Sequence, residues 1–175
     1  MKGVSLLSAE GDRREDMARL MEQYGSRLLR MCALQLGDRA LAQDAVQETF
    51  LKAWRHIDSY RGEAGEMTWL FRIAVNVCRD LARSPWHRHV NRRVDVTALP
   101  EEALDFSFPD DTVITAVRRL PGKYREAVLL RYYQGLKLSE AAQALGISEG
   151  AVRKRLHRAN DILRHALKEW YYDEE

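Results

Sequence analysis

Residues 138–158 read LSEAAQALGISEGAVRKRLHR, and this stretch decides the fold. It divides into two helices about a tight turn at Leu145, Gly146 and Ile147. Ala142, Gly146 and Val152 stand where a helix-turn-helix needs a small residue, a turn glycine and a buried branched residue. A small side chain at 142 lets the second helix cross closely over the first. Gly146 can take a left-handed conformation without a Cβ penalty, and Ser148 is placed to cap the next helix. Val152, Leu156, Ala159 and Leu163 recur at helical spacing and predict a buried stripe. Arg153, Lys154, His157 and Arg158 fall off that stripe and face outward, which suits a recognition helix in a DNA major groove. Two ordinary bundle helices with a solvated cationic face would show the same spacing, so the rest of the chain has to decide.

Working outward, the apolar spacing predicts helices throughout and no strand, so the fold class is all-α. Residues 1–12 read as a flexible leader. A first helix is expected over 13–36, with Met17, Leu20, Met21, Tyr24, Leu28, Met31 and Cys32 on one side, broken by Gly37 and Asp38. A second covers 39–57, with Leu41, Ala45, Val46, Thr49, Phe50 and Ala53 inward. A loop over 58–66 (DSYRGEAGE) leads to a third helix over 67–84, ended by Pro85. Residues 85–110, with Pro85, Pro100 and Pro109, read as an acidic, largely extended linker. A second module over 111–170 has a helix near 111–120, another near 122–134, then the helix-turn-helix, and residues 171–175 form an acidic tail. The chain is thus read as two small helical domains on a linker. Each is marginal alone.

The formal net charge of +2 hides a pattern. Arginines cluster between 72 and 93; residues 94–117 carry no Lys or Arg but six carboxylates; basic character then returns from Arg118 to Arg164. Two cationic modules flank an anionic connector. The two cysteines, Cys32 and Cys78, sit in apolar surroundings and read as small buried side chains in a reducing, cytoplasmic setting. The apolar run at 4–7 is too short for a signal peptide, and no stretch has membrane-spanning length. There is no phosphate-binding glycine loop, nucleophile elbow or zinc-protease motif. His56, His87 and His89 lack the companions a metal site needs, so neither enzyme activity, metal nor cofactor is expected.

The third helix carries a second constellation. Arg72, Asn76, Arg79 and Arg83 repeat at spacings of four, three and four. Arginine binds phosphate or guanine, and asparagine can pair with adenine in a bidentate way. Tyr60 and Arg61 in the preceding loop put an aromatic beside a cation, which suits stacking on an unpaired base. Trp69, with Leu70, Ile73, Val77 and Leu81, reads as a core anchor on spacing alone.

The segments LAQDAVQETFLKAW, TWLFRIAVN and LSEAAQALGISEGAVRKRLHRA, in this order and spacing, resemble the bacterial RNA polymerase sigma factors, most of all the small extracytoplasmic-function (ECF) group. The resemblance covers roughly residues 14–168. It implies that 13–84 is sigma region 2 and 111–170 sigma region 4. It implies that Asp44, Gln47, Glu48 and Lys52 dock on the β′ clamp helices of core RNA polymerase, with the β flap as a further contact; unaided, Glu48 and Lys52 read only as a helix pair. It further implies that Tyr60, Arg61, Trp69, Arg72, Asn76, Arg79 and Arg83 open and read the −10 element as single strands. Ser148, Arg153, Lys154, His157 and Arg158 would then read the −35 duplex, and the linker would thread toward the active-site channel of the polymerase. Met67 stands where many relatives have phenylalanine and fills the same apolar slot. The implied partners are core polymerase, promoter DNA and an anti-sigma protein, often membrane-bound, with the free chain a monomer. Two other classes remain: a stand-alone helix-turn-helix regulator acting as a dimer, and a helical adaptor or enzyme subunit with no DNA role.

Overall fold

The computed structural model describes residues 10–84 and 111–172. These residues form helices and turns with no strand, the all-α class expected, and the chain divides into two compact units. The linker at 85–110, with His87 and His89, falls outside the described residues, as do residues 1–9 and 173–175.

In the first unit α1 spans Glu10–Leu36, α2 Arg39–His56 and α3 Glu66–Arg83. Helix α1 begins three residues before its expected start, inside the expected leader. Gly37, at φ 72°, turns the chain between α1 and α2. Asp38 then caps α2, its carboxylate accepting from the Leu41 N–H at 2.8 Å. Ala42, Ala45 and Ala53 of α2 are fully buried, and side chains this small let α1 and α3 pack closely against it. A short 3-10 turn at Ile57–Ser59 opens the 58–66 loop.

The buried arc of α3 differs from the expected stripe. Thr68, Leu70, Phe71, Ala74, Val75, Val77 and Cys78 are inside, whereas Trp69, Ile73 and Leu81 sit half-buried at the edge. Two neighbouring helices pack against α3, so its apolar arc is wider than a single stripe and centred elsewhere. In α1, Met21 is 51% exposed instead of inward. Cys32 and Cys78 are both free and buried where α1 meets α3. The Cys78 thiol, within hydrogen-bonding reach, and burial together push the Cys32 thiol up.

The second unit has α4 (Asp111–Arg119), α5 (Gly122–Val128), α6 (Leu138–Leu145) and α7 (Glu149–Tyr172). The single helix expected over 122–134 instead ends in a π-helical turn, Leu129–Tyr133. There the Gln134 N–H reaches back to the Leu129 carbonyl at 2.9 Å, and the Leu136 N–H to that of Leu130 at 3.1 Å. This wider turn buries Gln134 and exposes Tyr132. Helices α4, α5 and α6 all pack on α7. Its Val152, Leu156 and Ala159 are buried as the spacing required, with Leu163 half-buried beyond them.

Candidate nucleic-acid interface

The helix-turn-helix is built as its sequence prescribes. Gly146 adopts φ 67°, ψ 35° just past α6. Its own N–H reaches the Gln143 carbonyl, and the Ile147 N–H reaches that of Ala142 at 3.1 Å, which closes a Schellman turn. The Ser148 hydroxyl accepts from the Ala151 N–H at 3.2 Å and so caps α7. At the start of α6, the Glu140 carboxylate accepts from the Lys137 N–H at 2.7 Å. Underneath, Arg155 reaches the buried Glu126 of α5 at 3.7 Å and ties α7 to its support.

Arg153, Lys154, His157 and Arg158 are all exposed and line one open concavity of about 640 Å³. Their partners are weak and local. Arg153 lies 3.6 Å from Glu149, and His157 lies 3.6 Å from Asp161, each one turn along the same helix. A polyanion can displace such pairs at small cost. Ser148 is exposed at the head of this face while acting as the cap.

On α3, Arg72, Asn76 and Arg83 are exposed and Arg79 half-buried along one face. Arg79 Nη1 and Asn76 Oδ1 stand 3.5 Å apart. Trp69, expected in the core, stacks on Tyr60 with ring centroids 4.7 Å apart and planes 25° from parallel. The Tyr60 hydroxyl donates to the Ala64 carbonyl across the loop. Tyr60 and Trp69 therefore form one half-buried aromatic platform beside the arginine ladder. Burial raises the Tyr60 pKa, so its hydroxyl stays protonated as a donor. Arg61 is exposed at the loop tip next to Gly62, which holds φ 72°.

The third group lies on α2. Asp44 and Gln47 are exposed, and Glu48 and Lys52 half-buried. Lys52 stands 3.9 Å from both Glu48 and Asp80 of α3. Beside this group runs an apolar groove between α1 and α2 that the spacing argument missed. Met17, Met21, Leu29, Val46, Phe50, Leu51 and Trp54 line it, with Gln43 and Gln47 at its polar edge, and it encloses about 1060 Å³. The available signal was Leu29, Leu51 and Trp54, large apolar residues that fall outside the expected inward stripes and that the three-helix core leaves half-buried or exposed.

Among the described residues no group of three or more His, Cys, Asp or Glu could hold a metal ion. No helix among them is long and apolar enough to cross a membrane.

Comparison with known proteins gives this geometry a family. Residues 20–88 match the Sigma-70 region 2 description, and residues 110–159 match Sigma-70, region 4. The ECF RNA polymerase sigma factor SigL of Mycobacterium tuberculosis is 34% identical over 162 residues, covering 87% of this chain and 89% of that one. SigW of Bacillus subtilis is 29% identical over 174 residues, covering 91% and 92%. Among solved structures, the sigma factor RpoE of Bartonella quintana, crystallised with the anti-sigma factor NepR, superposes with a TM-score of 0.69 at 26% identity, covering 88% of this chain and 98% of that one. CnrH, in complex with the cytosolic domain of CnrY, gives 0.65 at 27%, covering 89% and 90%. The chain belongs to the ECF RNA polymerase sigma factors.

Proposed function

We propose that this chain joins core RNA polymerase and grips promoters at two points, with the residues named above as the contacts. The supporting observation is the pairing of two unlike cationic surfaces. One is an exposed helix face, Arg153 to Arg158, suited to the −35 duplex. The other is an arginine and asparagine ladder beside the Tyr60–Trp69 platform, suited to unpaired −10 bases. Residues 13–84 act as region 2, 85–110 as linker and 111–170 as region 4, flanked by a leader and an acidic tail. Asp44, Gln47, Glu48 and Lys52 dock on the β′ clamp helices, and region 4 meets the β flap.

The chain works in the cytoplasm as a monomer when free, without catalytic residues, metal or cofactor of its own. An anti-sigma protein holds it inactive. Its support is that RpoE and CnrH, similar in fold and sequence, were both solved with a bound second protein, named as an anti-sigma factor for RpoE. The test is run-off transcription on fragmented genomic DNA with core polymerase. Discrete start sites that need both chain and polymerase are expected. Tight palindrome binding by a dimer without polymerase would instead establish the stand-alone regulator.

A further inference from the structure

Helix α1 contributes none of the proposed DNA contacts, yet two of its arginines hold both ends of the 58–66 loop. At the loop's start Arg13 Nη2 lies 3.1 Å from the Asp58 carboxylate. The same guanidinium stacks 5.0 Å over the Trp54 ring and donates to the Trp54 carbonyl at 3.3 Å. At the loop's end Arg19 grips Glu66 with both prongs, Nη1 to Oε2 at 3.0 Å and Nη2 to Oε1 at 2.8 Å. Between these anchors the Tyr60 ring stacks on Trp69 and its hydroxyl donates to the Ala64 carbonyl.

We propose that Arg13 and Arg19 are positioning residues for strand opening: they fix the span of the base-capturing loop from α1, so that the Tyr60–Trp69 platform is preformed before DNA arrives. This rests on the proposed role of that loop. The Arg19 anchor is the stronger one. A two-pronged arginine–carboxylate pair fixes direction as well as distance, whereas Asp58 is 60% exposed and held through a single oxygen. Without the anchor, binding an unpaired base must also supply the ordering of the loop, which lowers affinity for melted DNA only. Contacts made by the recognition helix to duplex DNA lie in the other unit and do not depend on this loop.

The experiment uses holoenzyme assembled from full-length chain and core polymerase, on a promoter recovered by the genomic run-off selection. Two probes are compared: a duplex ending upstream of the −10 element, and a fork template with an unpaired −10 strand. For Arg19→Ala, affinity for the fork template falls roughly fivefold to tenfold, while affinity for the upstream duplex and for core polymerase stays within about twofold of wild type. Arg19→Lys keeps the charge but loses the fork, and gives an intermediate value. Reversal of the pair, Arg19→Glu with Glu66→Arg, recovers most of the loss. Equal loss on both probes, or a parallel loss of polymerase binding, overturns the proposal in favour of a general structural role. Unchanged fork binding also overturns it. A wild-type holoenzyme that binds the fork template no more tightly than the upstream duplex refutes the reading of the loop itself, and is told apart because it fails before any substitution is made.

Discussion

Arg153→Ala separates DNA contact from structural support on the recognition helix, because the structure gives Arg153 so little else to do. Its side chain is 68% exposed, and its ion-pair partner is Glu149 one turn away at 3.6 Å. An exposed helix pair of this kind contributes about 0.3–0.5 kcal/mol. In a unit of this size, that corresponds to a melting shift on the order of 2–4 °C at most. Loss of an arginine contact to a base edge costs about 1–3 kcal/mol of binding, roughly a 5- to 150-fold change in affinity. If Arg153 meets a phosphate instead, binding weakens on every sequence, and the slope of log affinity against log salt becomes shallower by about 0.9.

The assay is filter binding of holoenzyme to a recovered promoter fragment across a potassium chloride series, with the melting temperature of the free variant measured in parallel. The expected result is a large binding change with a small melting change. Glu149→Ala is the counter-control, since it removes a carboxylate that competes with the DNA backbone for Arg153; binding should tighten slightly. Arg153→Ala binding with wild-type affinity and wild-type salt slope refutes the assignment of this face.

Gly146→Ala should lower stability by about 1–2 kcal/mol, because the strained term is the left-handed backbone alone. A Cβ there meets nothing within 4 Å, so Gly146→Asn should recover part of the loss in thermal melts. Leu130→Ala, at a fully buried position in the π-helical turn, should cost about 2–5 kcal/mol and abolish −35 binding with it; a folded, DNA-competent variant would count against the described core. Glu66 ties stability to acid pH. The Arg19 guanidinium hydrogen-bonds its carboxyl and holds it below the ordinary range, so its stabilisation is present above that range and lost as pH falls through the folded value. The melting gap between wild type and Glu66→Gln should therefore be widest near neutrality and close in acid. A gap that does not change with pH would contradict this.

Local rules carried the helix-turn-helix. Gly146, Ser148 and the Val152 stripe each follow from neighbours within one turn, so a single sequence exposes them. The arc of α3 was less legible. Spacing finds one apolar face but does not say how many helices cover it, and two neighbours moved the centre from Trp69 toward Phe71 and Ala74. That shift matters for the site: a core tryptophan could not meet DNA, but a half-buried one stacked on Tyr60 presents an aromatic edge. The π-helical turn was invisible because its residues are ordinary helix formers, and the misfit arises where the chain must close toward Gly135 and Leu136. The Arg13 and Arg19 anchors were invisible for another reason. Their partners lie 45 and 47 residues away, and no periodicity links arginines on α1 to carboxylates at the ends of a loop.

The two proposed DNA surfaces differ in rigidity, and the difference suits what each must do. A duplex offers a regular array of phosphates and groove edges, so the side chains that read it can start loosely paired and rearrange at little cost. Arg153 and His157 have such partners, each one helical turn away and exposed. A base taken out of the stack has already cost a few kcal/mol before any contact forms. A capture site that also had to order itself would add its own entropy to that cost. The 58–66 loop is instead braced from three directions: by Arg13 and Arg19 from α1, by Tyr60 across its own span, and by Trp69 on α3. Salt should therefore weaken both duplex recognition and strand capture, since both surfaces are cationic, but strand capture less steeply, because stacking on Tyr60 and Trp69 adds affinity for which mobile ions do not compete. Fork and duplex probes titrated with the same salt series would test this directly: the fork carries the duplex contacts as well, so its slope should be only slightly the steeper, and a fork slope about twice that of the duplex would mean that the capture surface, too, works mainly through charge.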